Sequence, residues 1–194
     1  MLDRQRRTKM LTYKNILEVS EELQEKVRLW RGNPRVKAGM LDPSDISKER
    51  HGRWLESLAK KIGTNEVRIA FSDGVPFGVI TLRDIKMDVS SCDSGAYIGE
   101  NAFEGRGLGL RLIYDLLQWG FVEVGVNKMY STVRSDNLKV LNYDLHAGYY
   151  IEGFLKDHMR AEDGERIGIY LIAQFQDEWL KNREKIASWA KIGN

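Results

Sequence analysis

Phe103-Glu-Gly-Arg-Gly-Leu-Gly-Leu-Arg111 is the stretch on which the fold turns. Before it, Ala96-Tyr-Ile-Gly99 reads as a strand. After it, Leu112, Ile113, Leu116, Leu117, Phe121 and Val124 share one face of a helix that runs to about Val124. Glycines this close together between a strand and a helix let several backbone N–H groups point into one concavity, and the helix dipole adds partial positive charge there. Such a concavity suits a diphosphate. The dinucleotide pattern G-x-G-x-x-G lacks its last glycine whether counted from Gly105 or from Gly107, and the Gly-Lys-Ser/Thr of a triphosphate loop is absent. By themselves the glycines fit close helix–strand packing as well.

Outward from this stretch the period of the apolar residues changes. Val67-Arg-Ile-Ala-Phe71 alternates as a strand, Asp73-Gly74 signals a hairpin turn, and Phe77-Gly-Val-Ile-Thr-Leu82 continues as the partner. The turn-rich residues 90–95 lead into the strand at Ala96. Earlier, Ser20 caps a helix over residues 20–30, with Glu21 and Glu22 in its first turn and Leu23, Val27 and Trp30 at helical spacing. Gly32-Asn-Pro34 ends it. Ser47 caps a second helix through His51, Trp54, Leu55 and Leu58 to about Lys61, with Arg50 where a capping box would place Glu. Later come a strand over residues 129–133, a short helix over 137–147 ended by Gly148, and a hairpin of 149–159 with 167–173 around Glu162-Asp-Gly164. A last helix over 175–192 is marked by Phe175, Trp179, Ile186 and Trp189. This order predicts an α/β fold with one mixed, largely antiparallel sheet and flanking helices, rather than a doubly wound parallel sheet. One domain is expected over residues 13–179, after a basic, flexible tail over 1–12 and before a helical extension over 180–194.

The chain has 194 residues, 42% hydrophobic and 30% charged, enough to bury a substantial core. Thirty Lys and Arg against 28 Asp and Glu leave a charge of +2, too small an excess for a polyanion-binding module, so no nucleic-acid partner is expected. Cys92 is the one cysteine, which excludes an intrachain disulfide. With only His51, His146 and His158 beside it, no structural metal is expected. The most apolar stretch, residues 107–126, carries Arg111, Asp115 and Glu123 and is no membrane span. The first ten residues are basic and lack the apolar run of a signal peptide. A cytoplasmic protein is expected.

The glycine stretch resembles motif A of the GCN5-related N-acetyltransferase (GNAT) superfamily, Q/R-x-x-G-x-G/A, as Glu104-Gly-Arg-Gly107-Leu-Gly109, with Glu104 where the family has Gln or Arg. Asn137, eleven residues before Gly148-Tyr149, is similar to the family's later motif. Residues 150–156, Gly164 and Trp179 resemble the closing hairpin of the subgroup that includes ribosomal-protein and polyamine acetyltransferases. Trp30-Arg-Gly-Asn33, Val36, Met40, residues 46–51, Trp54 and residues 77–85 look like the acetyltransferases of nucleotide-linked 4-amino-4,6-dideoxy sugars in pseudaminic acid synthesis, as does Gly95-Ala-Tyr-Ile98. The resemblance covers residues 20–179. It implies acetyl-CoA as cosubstrate, no metal, and direct attack by a primary amine on the thioester. The acceptor it favours is the amino-sugar nucleotide, with a ribosomal-protein amine or a polyamine as alternatives. A non-catalytic acyl-CoA-binding module is a further alternative.

The resemblance also implies a pyrophosphate held by backbone N–H groups of Gly105, Arg106, Gly107, Leu108, Gly109 and Leu110, with Arg106 adding charge. The pantetheine arm would pair like an extra strand with the end of Tyr97-Ile98-Gly99, where a backbone N–H polarises the thioester carbonyl, and Asn137 would bond the arm from the other side. Many relatives carry an acidic Tyr seven residues after the motif Asn; that position is Asp144 here. Tyr143 is one residue earlier, about 100° around the helix, and is a candidate acid or a packing aromatic. Glu100 is a candidate base or a solvated loop carboxylate, with water as the base in the second case. Arg31, His51 and Trp54 are candidates for the acceptor pocket, although a helix-surface His beside a packing Trp explains the latter pair as well. An acidic acceptor calls for basic residues, for which Arg31, Arg35 and Arg83 stand out. Cys92, without a His–Asp partner, is a bystander. Trp179 and Trp189 leave monomer and homodimer open.

Overall fold

The helix after the glycine loop organises the molecule. In the computed structural model, which describes residues 11–161 and 164–190, α4 (Leu108–Gln118) buries Leu108, Leu112, Ile113, Leu116 and Leu117. It runs on as a π-helical turn, Trp119–Val124, and stops at Gly125. The sheet against which it packs has the order β1-β2-β3-β4-β5-β7-β6. Its strands are β1 (Leu11–Asn15), β2 (Glu66–Ser72), β3 (Val75–Lys86), β4 (Ser91–Ile98), β5 (Lys128–Arg134), β6 (Tyr150–Arg160) and β7 (Arg166–Phe175). All neighbours are antiparallel except β4 and β5. That parallel pair follows from the crossover through α4, because parallel strands cannot be joined by a tight turn. The mixed, largely antiparallel sheet is therefore as the sequence indicates.

Each face of the sheet carries its own core. On one, Phe77, Ile80, Leu82, Cys92, Met129, Val133 and Ile172 pack with α4, with Leu141 of α5 (Leu138–His146) and with Trp179 and Ile186 of α6 (Gln176–Trp189). On the other, Val67, Ile69, Phe71 and Val79 pack with Val27 and Trp30 of α1 (Glu21–Gly32) and Leu58 of α3 (Lys48–Ala59). A single turn, α2 (Pro34–Lys37), follows α1, with proline at its start where the missing N–H costs nothing.

Three boundaries differ from the sequence reading. β1 pairs with β2 along its whole length, so a strand begins at Leu11, inside the expected 1–12 tail; residues 1–10 lie outside the described residues. β4 starts at Ser91 rather than Ala96. Its turn-favouring residues are held extended by pairing on both sides, Arg83↔Asp93 with β3 and Asp93↔Tyr130 with β5, and tertiary pairing overrides weak local preference. The expected extension from residue 180 is the continuation of α6, whose Trp179 and Ile186 are buried in the same chain's core.

Candidate active site

The middle of the sheet is split. β4 and β5 pair only at Ser91↔Lys128, Cys92↔Met129 and Asp93↔Tyr130. Beyond these, β4 continues to Ile98 paired with β3 alone, and β5 continues to Arg134 paired with β7 alone. The strands form a fork whose facing backbone edges suit a further extended chain. At the apex, the Ser94 hydroxyl donates to the Tyr130 carbonyl at 3.1 Å. A 2.9 Å bond joins it to the Tyr149 phenol. A hydroxyl has one proton, so the phenol is the donor in that bond.

The glycine loop lies past the end of β4, at the open end of the fork. Gly105 and Gly107 have φ of 68° and 77°, in the left-handed region, and both are exposed. Gly107 is the cap residue of α4 and supplies no side-chain acceptor. Ser20, Ser47 and Asn137, by contrast, cap α1, α3 and α5 with their side chains. The first turn of α4 has no acidic residue either. Its leading N–H groups are thus left for an anion, in an exposed loop whose left-handed residues turn further N–H groups the same way. The Arg106 guanidinium lies 5.2 Å over the Phe103 ring at the rim.

The end of β4 is tied down from α1 and α2. Gly99 and Glu100 both donate N–H bonds to the Phe77 carbonyl, at 2.8 and 3.1 Å. The Trp30 indole lies flat on Gly99: a Cβ there would stand 2.2 Å from its Cδ2. Arg35 reaches from α2 to the Ile98 and Gly99 carbonyls, at 3.1 and 2.9 Å, and pairs with Glu104. The unusual Glu104 is therefore answered by Arg35, whose guanidinium is committed to the end of β4 and to the glycine loop. Glu100 accepts from Lys26 Nζ at 2.7 Å and from Trp30 Nε1 at 3.1 Å. The Lys26 ammonium holds its carboxyl below the usual carboxylate range. An ionised form so stabilised is a weak base, and Glu100 acts as a tether between α1 and β4.

Other sequence candidates fall into two groups. Asn137 spends its Oδ1 on the cap of α5, accepting from Val140, which leaves its amide nitrogen for a ligand. The Tyr143 ring lies over the first turn of α4, 3.2 Å from where a Cβ of Gly109 would be, so it borders the anion seat. Its neighbour Asp144 is buried on the inward face of α5 with Leu141. His51 is 6% exposed, its Nε2 bonds the Gln24 carbonyl at 3.0 Å, and its ring lies 5.2 Å from that of Trp54. Burial lowers its pKa and keeps it neutral. The pair cements α1 to α3, because a His on an apolar helix face finds a backbone partner more readily than a ligand. Cys92 is buried, its thiol pushed up to about 12 by desolvation, and is inert.

Arg31 belongs to a basic cluster on the α1–α3 side of β4. Its guanidinium donates to the Asp42 carbonyl, and Nη1 is buried without a partner among the described residues. Burial lowers its pKa, and the charges of Arg50 and Arg83 bear on it in the same sense. Asp42 faces Arg50 at 3.1 Å and Asp93 faces Arg83 at 2.9 Å, two carboxylates for three guanidiniums. Arg50 and the latch role of Arg35 escape sequence reasoning, which has no local signal for partners this far apart. No group of three or more His, Cys, Asp or Glu could hold a metal among the described residues. Among these residues, no helix is long and apolar enough to cross a membrane.

Compared with known proteins, residues 17–149 match the family model described as an acetyltransferase (GNAT) domain. A curated relative, the acetyltransferase PseH of Campylobacter jejuni, is 27% identical over 132 residues, which are 68% of this chain and 80% of that protein. The spermidine N-acetyltransferase of Vibrio cholerae in complex with CoA and spermine superposes with a TM-score of 0.78 at 16% identity, covering 88% of this chain and 98% of that one. The structure of the Campylobacter jejuni PseH gives 0.62 at 20%, covering 86% and 98%. At these identities the structural likeness is one of fold.

Proposed function

From the premise that the chain belongs to the GNAT acetyltransferase family, we propose that it moves an acetyl group from acetyl-CoA to the primary amine of a nucleotide-linked 4-amino-4,6-dideoxy sugar. The observation that carries the acceptor is the arginine cluster. Among the described residues, Arg31, Arg50 and Arg83 lie together with two carboxylates paired to them and one guanidinium nitrogen unpaired. That field attracts a nucleoside diphosphate and repels a polyammonium acceptor.

The remaining residues fit the donor. Backbone N–H groups of Gly105, Arg106, Gly107, Leu108, Gly109 and Leu110 suit the pyrophosphate, because the cap of α4 leaves them without protein acceptors. The open edge of β4 up to Ile98 and Gly99 suits the pantetheine arm, with the amide nitrogen of Asn137 opposite. Acetyl-CoA supplies an activated acyl group. Gly99 and Trp30 fix the strand end against which the thioester is oriented, and Arg35 neutralises Glu104 beside the anion seat. Water, rather than the tethered Glu100, takes the amine proton.

The test is thiol release from acetyl-CoA with a nucleoside-diphosphate-linked 4-amino-4,6-dideoxy sugar, spermidine and a peptide amine as acceptors. Turnover is expected with the sugar, with a KM that rises with salt and in Arg83→Gln while the KM for acetyl-CoA stays put. Turnover with spermidine alone would overturn the acceptor. A thermal melt checks the donor: at a hundred times Kd, acetyl-CoA should add about 2.7 kcal/mol, or about 5–10 °C for a domain of this size. Binding without turnover on any amine would mean a non-catalytic module.

A further inference from the structure

We propose that the cleft between α5, α6 and the paired ends of β6 and β7 is a second binding site, which takes a small aromatic carboxylate. The cleft has a volume of about 310 Å³. The residues that line it are distinct from those placed around acetyl-CoA and its acceptor. Clefts of this size, walled by aromatic side chains around a few directed polar groups, are the usual form of a small-molecule site.

Gln174 of β7 forms the floor. It pairs across the sheet with Met129 and is 1% exposed. The end of the strand orients its side chain, because Oε1 accepts the Phe175 N–H at 3.0 Å. An amide has one oxygen and one nitrogen, so that bond turns Nε2 the other way. There it stands over Gly148, a second lining residue, whose Cβ would come within 2.5 Å of it. Among the described residues Nε2 has no acceptor. A buried amide whose N–H groups go unmet is costly, and buried polar groups in folded proteins are otherwise satisfied. The floor of the cleft therefore presents a fixed, uncommitted donor.

α6 supplies a second donor. Glu178, Asn182, Lys185 and Trp189 follow one another at helical spacing and make one stripe of it along the cleft. The Lys185 ammonium lies 4.9 Å over the Trp189 ring and, among the described residues, has no carboxylate at ion-pair distance. The other polar groups of the stripe are engaged: Glu178 with Lys181 at 3.1 Å, and the Asn182 amide nitrogen with the Glu178 carbonyl at 2.9 Å. On the α5 side, His146 meets the Trp189 ring edge-on at 6.0 Å, and its Nδ1 donates to the Asn142 carbonyl at 2.7 Å. Tyr150 stacks on Phe175 and, like Trp189, stays nearly half exposed. Leu145 and Ile186 complete the apolar lining. Two uncommitted donors, one neutral and buried and one cationic, thus face a lining that suits a flat apolar body. A carboxylate on an aromatic ring meets all three, with charge-assisted bonds to its oxygens. An ammonium on the same ring meets the Lys185 charge and leaves the Gln174 N–H groups unanswered.

The experiment titrates the full chain with naphthalene-2-carboxylate, followed by calorimetry, with and without saturating acetyl-CoA. Acetate, which has the charge without the ring, and 2-naphthylmethylammonium, which has the ring with the opposite charge, are the controls. One naphthoate is expected to bind per chain with a Kd of about 1 mM or below. Acetyl-CoA should leave that Kd unchanged, and neither control should bind in the same range. Lys185→Gln should weaken binding about tenfold, as expected for loss of one hydrogen bond to a charged group. Gln174→Leu, which keeps the size of the side chain and removes the donor, should weaken it at least as much. Should Gln174→Leu not fold, Lys185→Gln and Trp189→Ala decide, because both positions are exposed. Naphthoate that acetyl-CoA displaces, that Lys185→Gln and Trp189→Ala bind as well as wild type does, or that binds no better than the ammonium overturns the inference. So does a chain that binds none. These readouts need no turnover, so the acyl-transfer reading stands or falls apart from them.

Discussion

Replacing Gly99 by alanine tests the packing at the end of β4 without assuming any activity. The φ of Gly99 is not positive, so its backbone admits alanine, and the obstacle is space. The new Cβ would stand 2.2, 2.4 and 2.6 Å from Cδ2, Cγ and Cε3 of Trp30. Carbon contacts are comfortable at about 3.5–4.0 Å, so the indole or the strand must give by about 1.3 Å or more. Trp30 is 6% exposed and packs in the α1–α3 core, where overpacking costs about 1–3 kcal/mol. The displaced indole also loses its bond to Glu100, about 1 kcal/mol more because that carboxylate keeps Lys26 and partial solvent. The total of about 2–4 kcal/mol corresponds to a fall in Tm of roughly 4–15 °C. Thermal and urea unfolding measure it. In a Trp30→Phe background the same replacement should cost at least about 1 kcal/mol less, because the two residues are in contact. A Gly99→Ala protein melting within about 1 °C of its parent would refute the close approach.

Arg35→Ala removes the donors to the Ile98 and Gly99 carbonyls and leaves Glu104 unanswered beside the anion seat; the KM for acetyl-CoA should rise about tenfold, or 1.4 kcal/mol, and adding Glu104→Gln should recover part of it. An unchanged KM in Arg35→Ala would sink the latch. Gly107→Ala meets no atom within 4 Å but forces alanine to φ 77°. It should cost about 1–2 kcal/mol of stability and raise the KM for acetyl-CoA, whereas equal stability would deny the left-handed cap. Asp144, with its folded pKa raised to about 7, binds a proton that the unfolded chain releases near pH 4, so stability falls as pH rises between those values. Asp144→Asn lacks that slope, and wild type should lose Tm relative to it from pH 4 to 7; a gain would contradict the burial.

Local signals made much of this legible. Ser20, Ser47 and Asn137 mark their helices because each side chain does cap, and Gly105 and Gly107 mark the loop because their φ values demand glycine. Signals that depend on pairing did not show. Leu11–Asn15 is too short to reveal a strand until β2 lies beside it, and Ser91 to Gly95 reads as turn until β3 and β5 hold it straight. In the site, the anion seat is written in consecutive residues, whereas the Arg35–Glu104 pair joins positions 69 apart. His51 misleads because chemistry-bearing residues also serve as ties. Asp144 was visible as a carboxyl three residues from Leu141 on an apolar face, a conflict that only burial explains.

The three residue pairs that join β4 to β5 also make a seam between two half-sheets, β1 to β4 and β5 to β7. The core on the α4 face spans it, drawing Ile80 and Leu82 from one half and Met129 and Ile172 from the other. The core on the α1–α3 face does not, since its strand residues come from β2, β3 and β4, all on one side of the seam. Partial opening along the seam breaks only these three residue pairs of the sheet, and a molecule lying in the fork opposes it from inside. Amide hydrogen exchange along β4 and β5, and the chain's lifetime among cellular proteases, should then follow the supply of its own donor: when that supply runs low, the protein slows and is cleared together.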